Sequence, residues 1–271
     1  MSSARWKPTP LILASLLLHV LGMAVLIATP ALWRWSLGAI VANHLLLGLI
    51  GMWPRSRWLG ANCVRLPPDA VAKYEIALTI DDGPDPAVTP LVLDILDRYA
   101  ARVTFFCIGE KAARYPALCR EIVRRGHTVE NHTQHHRHYF AFFGMAQLTR
   151  EIQTAQDTLT ALTGRTPVFF RAPAGIRNPF LDPVLARLGL RLVAWTRRGF
   201  DTRSADPATV SRRLTSGIQP GAILLLHDGN SARSASGVPV IVAVLPALLE
   251  AVAAAGLRLV TLADALPSDP V

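Results

Sequence analysis

The stretch Glu75-Ile-Ala-Leu-Thr-Ile-Asp-Asp-Gly-Pro84 decides how the rest of the chain is read. A mostly apolar, β-prone run ends on two adjacent carboxylates and a Gly-Pro turn. A strand that stops there puts two acids at the rim of a sheet. Two like charges that close are costly unless something positive lies beside or between them. A divalent cation is the commonest answer. The bland alternative is a pair of turn or cap aspartates, since Asp-Gly-Pro is also turn chemistry.

Downstream of this stretch, short apolar runs alternate with helix-length amphipathic ones. Strands are expected at 75–80, 103–108, 127–131, 167–171, 190–195, 222–227 and 257–261. Helices are expected at 88–101, 116–125, 145–163, 180–188, 207–217 and 239–255. Gly126, Gly164, Gly189 and Gly256 suit helix ends. About seven β-α units of this length predict an α/β fold with a parallel sheet, closer to a barrel than to an open sheet.

Upstream the composition changes. Residues 1–68 contain no Asp or Glu. Leu11 to Ala28 is apolar apart from Ser15 and His19, and Leu37 to Trp53 apart from Asn43 and His44. Each is close to the ~20 residues of a membrane helix. Five of the six tryptophans, Trp6, Trp33, Trp35, Trp53 and Trp58, flank these runs like an aromatic belt. The expectation is a transmembrane two-helix hairpin over residues 1–54 and a Pro/Arg/Gly-rich linker over 55–71. A catalytic domain over 72–265 follows. A cleaved signal peptide ending near Ala28 or Ala31 is the alternative for the first run.

The net charge is +9. Arg5, Lys7, Arg34, Arg55, Arg57 and Arg65 supply most of it, beside apolar segments. A membrane explains this better than nucleic acid, for which no basic stripe or motif is visible. Only Arg34 lies between the spans, so the positive-inside rule places both ends and the catalytic domain in the cytoplasm, at the bacterial inner membrane. Cys63, Cys107 and Cys119 lack metal or disulfide spacing and read as small buried hydrophobes.

The chemistry-bearing residues cluster after strand ends. His132-Thr-Gln-His-His136 has two histidines four apart. On one helical turn both imidazoles share a face, suited to metal bonds of ~2.0–2.1 Å. His135 and His138 leave the register ambiguous. Two histidines and one carboxylate make a three-ligand open metal site, leaving the second carboxylate free as a base on water. Arg171, after Pro167-Val-Phe-Phe170, is placed to hold a catalytic carboxylate ionised. Asp201 is placed to orient a histidine, and His227 closes Ala222-Ile-Leu-Leu-Leu226 as a candidate proton donor. Taken alone, Arg171 reads as a salt bridge and His227 as a core histidine.

Together, Thr79-Ile-Asp-Asp-Gly-Pro84, His132-Thr-x-x-His136, Arg171-Ala-Pro-Ala-Gly175, Asp201 and Leu225-Leu-His227 resemble the five motifs of the polysaccharide deacetylase family, the NodB-homology domain or carbohydrate esterase family 4. The resemblance covers about residues 72–265. It implies a distorted, incomplete (β/α) barrel and metal-dependent removal of an acyl group from an N-acyl amino sugar. By the same resemblance, Asp81 is the general base. Asp82, His132 and His136 are the ligands of a divalent metal, zinc first and cobalt or nickel as alternatives. Arg171 positions Asp81, and His227 is the general acid tuned by Asp201. Leu225 lines the acyl pocket, and the backbone N–H of Ala174 helps hold the oxyanion.

Ile80, Ala174 and Thr202 depart from the family pattern, in which Phe, Tyr and Trp are usual. Arg197 and Arg198 stand just upstream of Asp201, where they can face an anionic group. The departures fall on the substrate side. Expected partners are therefore an N-acylated envelope glycan or a lipid-linked amino sugar, together with membrane lipid. A deformylase on an undecaprenyl-phosphate-linked amino sugar and a non-catalytic sugar-binding relative are the alternatives.

Overall fold

The structure, a computed structural model, describes residues 6–266. Arg5, one of the charges that orient the hairpin, lies outside the described residues. The chain opens with α1 (Pro10–Ala28), α2 (Trp33–Gly51) and the short α3 (Pro68–Ala72). There follow β1 (Glu75–Asp81), α4 (Thr89–Arg98), β2 (Thr104–Cys107), α5 (Gly109–Arg114), α6 (Pro116–Arg124), β3 (Thr128–Asn131) and α7 (Met145–Thr163). The second half runs β4 (Phe169–Phe170), α8 (Leu181–Leu188), β5 (Arg191–Leu192), β6 (Arg197–Arg198), α9 (Pro207–Thr215), β7 (Ile223–His227), α10 (Val240–Ala254), β8 (Arg258–Val260) and α11 (Leu262–Ala265).

The strands form one parallel sheet in the order β5-β4-β3-β2-β1-β7-β6, with β8 paired to the start of β1. This is the expected incomplete barrel. All seven expected strands are present. β6 is an addition: an Arg-Arg pair carries no apolar run to announce it. α5 is likewise short and begins on a glycine.

β1 is central and all seven of its residues are buried. Its alternation serves two cores. Ile76, Leu78 and Ile80 pack outward among side chains of α4, α9 and α10. Ala77 joins Phe106, Phe169, Val193 and Ile223 in the barrel interior. Thr79 and Asp81 share that inner face, so the acid at the strand end surfaces at the C-terminal mouth of the barrel. Helix ends follow local chemistry: Asp206 accepts from the amides of Ala208 and Thr209 at the start of α9, and Gly164 and Gly189 end α7 and α8 in the left-handed conformation.

The N-terminal helices are long and apolar enough to cross a membrane, and most of their apolar surface is not buried by the rest of the chain. They clasp each other through polar groups. Asn43 donates to the Ser15 hydroxyl (2.8 Å), and the rings of His19 and His44 meet edge-on with centroids 5.1 Å apart. Both hairpin ends are tied to the sheet-bearing part of the chain: Trp6, before α1, donates to Asp182 (2.7 Å), and the Gly51 carbonyl, at the end of α2, accepts from the Arg177 amide (3.1 Å).

The stretch 55–71, expected as a linker, is stitched to the sheet for much of its length. The Cys63 amide donates to Leu192 (2.9 Å) and its carbonyl accepts from Ala194 (2.9 Å); the Leu66 amide donates to Gly221 (2.8 Å). Asn62 ties back to the carbonyls of Pro54 and Ser56.

Candidate active site

Strand alternation should send Asp82 to the opposite face from Asp81. It does not, because Asp82 adopts φ 74. Aspartate tolerates this left-handed conformation better than most residues. The turn that results keeps both carboxylates at the cleft. Lys111 Nζ donates to the Asp82 carbonyl (2.8 Å), and Gly229 must be glycine because a Cβ there would lie 1.9 Å from that same oxygen.

Asp81 is held by Arg171, which is 1% exposed. Nη1 of Arg171 donates to Asp81 Oδ1 (2.6 Å) and Thr79 Oγ1 (2.8 Å), Nε to the Val193 carbonyl (3.1 Å) and Nη2 to the Ala194 carbonyl (2.9 Å). Its guanidinium lies over the Phe106 ring at 4.1 Å. A buried charge is tolerable only when paired and hydrogen-bonded in this way.

His132 and His136 converge on Asp82. Their Nε2 atoms lie 3.2 and 3.3 Å from Asp82 Oδ1. One ligand atom from each of the three residues falls within 4.8 Å of the others. The expected helical turn is absent: the segment is irregular, with positive φ at Thr133 (65) and His136 (50). The Thr133 hydroxyl accepts from the His136 amide (2.9 Å). Two left-handed residues bring the imidazoles together where helical periodicity was expected to. His135 pairs with Glu151 (2.7 Å), and His138 meets the His136 ring edge-on at 6.5 Å.

Three observations fit this trio to a cation. Asp82 Oδ1 is buried without a hydrogen-bond partner. His132 Nδ1 is 2.8 Å from the Arg171 carbonyl, so that nitrogen carries the proton and Nε2 keeps its lone pair. Burial, then the neighbouring His132, pushes His136 down to about 4, leaving it neutral at pH 7. Burial works to raise Asp82, but the surrounding imidazoles, His132 first, outweigh it and hold its carboxyl well below the usual carboxylate range.

Across the cleft, Asp201 is fully buried and grips His227 twice. Its Oδ2 accepts the His227 amide (2.7 Å) and its Oδ1 lies 2.9 Å from Nδ1. Nε2 is the ring nitrogen that this grip leaves free. Burial alone would lower the His227 pKa; the Asp201 hydrogen bond and charge outweigh it and raise it.

The cleft is small, 150 Å³, and all nine expected site residues border or support it. Leu225 is buried against Ala194 and Trp195. Ala174 is exposed with φ 55. Arg197 is turned away, capping the carbonyls of Arg213 and Gly217. Arg198 lines the cleft, lies near the Trp195 and Phe200 rings, and has a buried Nε without a hydrogen-bond partner.

Sequence reasoning missed Asn230, whose amide donates to Asp82 Oδ2 (2.9 Å). It also missed Asp228, whose carboxylate accepts from Thr89 (2.5 Å) and is raised to about 7 by burial. Their place just after the His227 strand end was the available signal.

Comparison with known proteins agrees with this geometry. The model of the polysaccharide deacetylase family matches residues 69–193. A peptidoglycan-N-acetylglucosamine deacetylase of Bacillus cereus is 33% identical over 193 residues, 70% of this chain and 87% of the relative. A chitooligosaccharide deacetylase of Azorhizobium caulinodans is 37% identical over 155 residues, 57% of this chain and 73% of the relative. Among solved structures, a peptidoglycan N-acetylglucosamine deacetylase superposes with TM-score 0.68 at 26% identity, covering 75% of this chain and 92% of that one. A family 4 carbohydrate esterase from Streptomyces lividans, in complex with acetate, does so with TM-score 0.61 at 32% identity, covering 68% and 90%. The chain therefore belongs to the polysaccharide deacetylase family and is a carbohydrate deacetylase, a hydrolase of carbon–nitrogen bonds.

Proposed function

We propose that this protein is a divalent-metal-dependent N-deacetylase of an N-acyl amino sugar, carried by an envelope glycan or a membrane lipid. The observation that carries the reading is Asp82 Oδ1, buried without a hydrogen bond and facing two imidazole nitrogens beside a second, arginine-held carboxylate. Asp82, His132 and His136 would hold the metal, with zinc favoured by the donor set and cobalt or nickel as alternatives. Bound there, it supplies Lewis acidity toward water and the amide carbonyl.

The chain's own residues move the protons. Arg171 occupies Asp81 Oδ1, so Oδ2 is the oxygen that takes a proton from the attacking water. Water oxygen adds to the amide carbon, and the backbone N–H of Ala174 donates to the oxygen that gains charge. His227 Nε2 then protonates the sugar nitrogen as the C–N bond breaks, giving a carboxylic acid and a free amino sugar. Asp201 supports the cationic form from which His227 donates. Leu225 shapes the end that receives the acyl group. Residues 1–54 anchor the catalytic domain, 72–265, in the inner membrane. By the positive-inside rule that domain faces the cytoplasm, and a C-terminal reporter fusion checks the side.

Purified full-length protein loaded with zinc or cobalt is expected to release acetate or formate from N-acylated hexosamines. Asp81→Asn should keep stoichiometric metal while losing about 10²–10⁴-fold in kcat. Full activity in that variant would remove Asp81 as base. Absence of bound metal together with an unaffected His132→Ala would sink the enzyme reading itself.

A further inference from the structure

The cleft has a neighbour about which the deacetylase chemistry says nothing. A groove of 1330 Å³ lies between the helical hairpin and the face built by the 138–145 loop, the 176–180 loop and α8. It exceeds the ~300–1,000 Å³ of a small-molecule pocket. One wall is Ile12, Leu16, Leu47 and Gly48 of the hairpin; the other includes Phe142 and Phe180. Phe142 is 89% exposed, on the same side as two helices whose apolar faces are also bare. An apolar surface of that kind is made for a bilayer or for what comes out of one.

The groove meets the cleft through two loops, each of which serves both. His136 lines the cleft and His138 the groove; Ala174 and Gly175 line the cleft and Ile176 and Arg177 the groove. Where they adjoin, the groove holds an unusual cation. Arg177 is 4% exposed, donates to the Ser56 carbonyl, and makes no ion pair among the described residues. Its Nε is buried with no hydrogen-bond partner. The nearby Asp182 is engaged by Trp6. A buried guanidinium with an unmet donor fits a phosphate oxygen.

We propose that this groove receives the hydrocarbon chain of a lipid-linked sugar substrate, with its phosphate at Arg177 and its N-acyl sugar in the cleft. The proposal rests on the deacetylase reading and names the substrate class for it. A hydrocarbon chain matches the wall shared with the apolar helices, a phosphate matches Arg177, and only a molecule with both a chain and a sugar spans the two adjoining spaces.

The test uses full-length protein in nanodiscs and the hexadecyl phosphate of N-acetylglucosamine carrying a diazirine at the end of its chain. In metal-stripped protein, photolabel is expected on residues 138–145 and on the groove face of α2. A Cβ at Gly48 or at Gly144 would meet nothing within 4 Å, so tryptophan at either position can fill the groove without displacing the fold. Gly48→Trp and Gly144→Trp should each cut the label at least fivefold. In the metal-loaded protein, kcat/KM for the hexadecyl phosphate should exceed that for the methyl phosphate at least tenfold. Either tryptophan should bring the ratio near one. Label confined to outward positions such as Leu13 and Leu17, label displaced by excess phosphatidylglycerol, or a wild-type ratio of one would each overturn the proposal. Label in the groove without turnover of either substrate would instead overturn the deacetylase reading and leave the groove as a lipid site.

Discussion

The floor of the cleft and its hairpin-side wall are built on opposite terms. On the floor, Asp81, Arg171, Asp201 and His227 are at most 4% exposed, and each is held by a side-chain hydrogen bond to a partner distant in the sequence, Asp81 to Arg171 and Asp201 to His227. On the wall, Ala174 is exposed, Arg198 has an unpartnered Nε, and the adjoining groove offers mainly apolar surface. The floor is preorganised for one reaction. The wall is permissive and waits for a partner. The difference teaches where each kind of substitution should act: floor changes on the chemical step and on stability, wall changes on which molecule is accepted.

The sharpest way to break that contrast is Arg171→Met. It removes four hydrogen bonds and leaves the Asp81 carboxylate buried without its cation. A stability loss of about 3–5 kcal/mol is expected from such a rupture, with kcat down at least ~10²-fold. Thermal melting and single-turnover kinetics measure the two. A variant with normal melting and activity would show that the floor is not held as described.

Asp201→Asn probes the floor more gently. Asp201 outweighs burial and raises the His227 pKa above its ordinary value, so His227 stays protonated to higher pH. A cationic general acid loses activity as pH rises through its folded-state pKa. The alkaline limb of the kcat profile should therefore move to lower pH in the variant. Stability follows the same sign: what the charged His227 contributes is present below its unfolded value and is lost as pH climbs through the raised one. A limb that stays in place would take His227 out of the acid role.

The wall should respond least and most selectively. Arg198→Ala is expected to raise KM several-fold for a phosphate-bearing N-acetyl sugar and hardly at all for a neutral chitooligosaccharide, with kcat preserved. Its neighbour Arg197 caps two carbonyls near the end of α9, so Arg197→Ala should leave both KM values alone. Equal effects of the two substitutions on both substrates would erase the distinction between them.

The same division governs what could be read from sequence. The floor was legible because its residues sit in short motifs directly after apolar strands, and because metal and proton chemistry admit few residue types. Even there the geometry differed in kind: His132 and His136 converge through left-handed residues in a loop, which no helical periodicity encodes. His135, which spacing left as an alternative to His136, is paired with Glu151 on α7, a partner no local spacing announces. The wall was legible only as departures, Ala174 and the Arg197-Arg198 pair. Its shape comes from residues far apart in the chain, such as Pro54, Gly175 and Trp195, brought together by packing that leaves no periodic trace. Composition announced the apolar helices, but not that the segment after them is sewn to the sheet.

That sewing has a consequence for reach. A Cβ on Gly175 would lie 2.6 Å from Pro54 and 2.7 Å from Trp195, so the hairpin exit, the Ala174 loop and the cleft wall touch with no slack. A flexible tether would let the catalytic domain search a volume. On the anchoring proposed above, this joint would give it an altitude: with the hairpin in a bilayer, the trio of Asp82, His132 and His136 would stand at one fixed height above the lipid surface. Sugars would then be selected by how far from the membrane they are carried, before any hydrogen bond reads their hydroxyls.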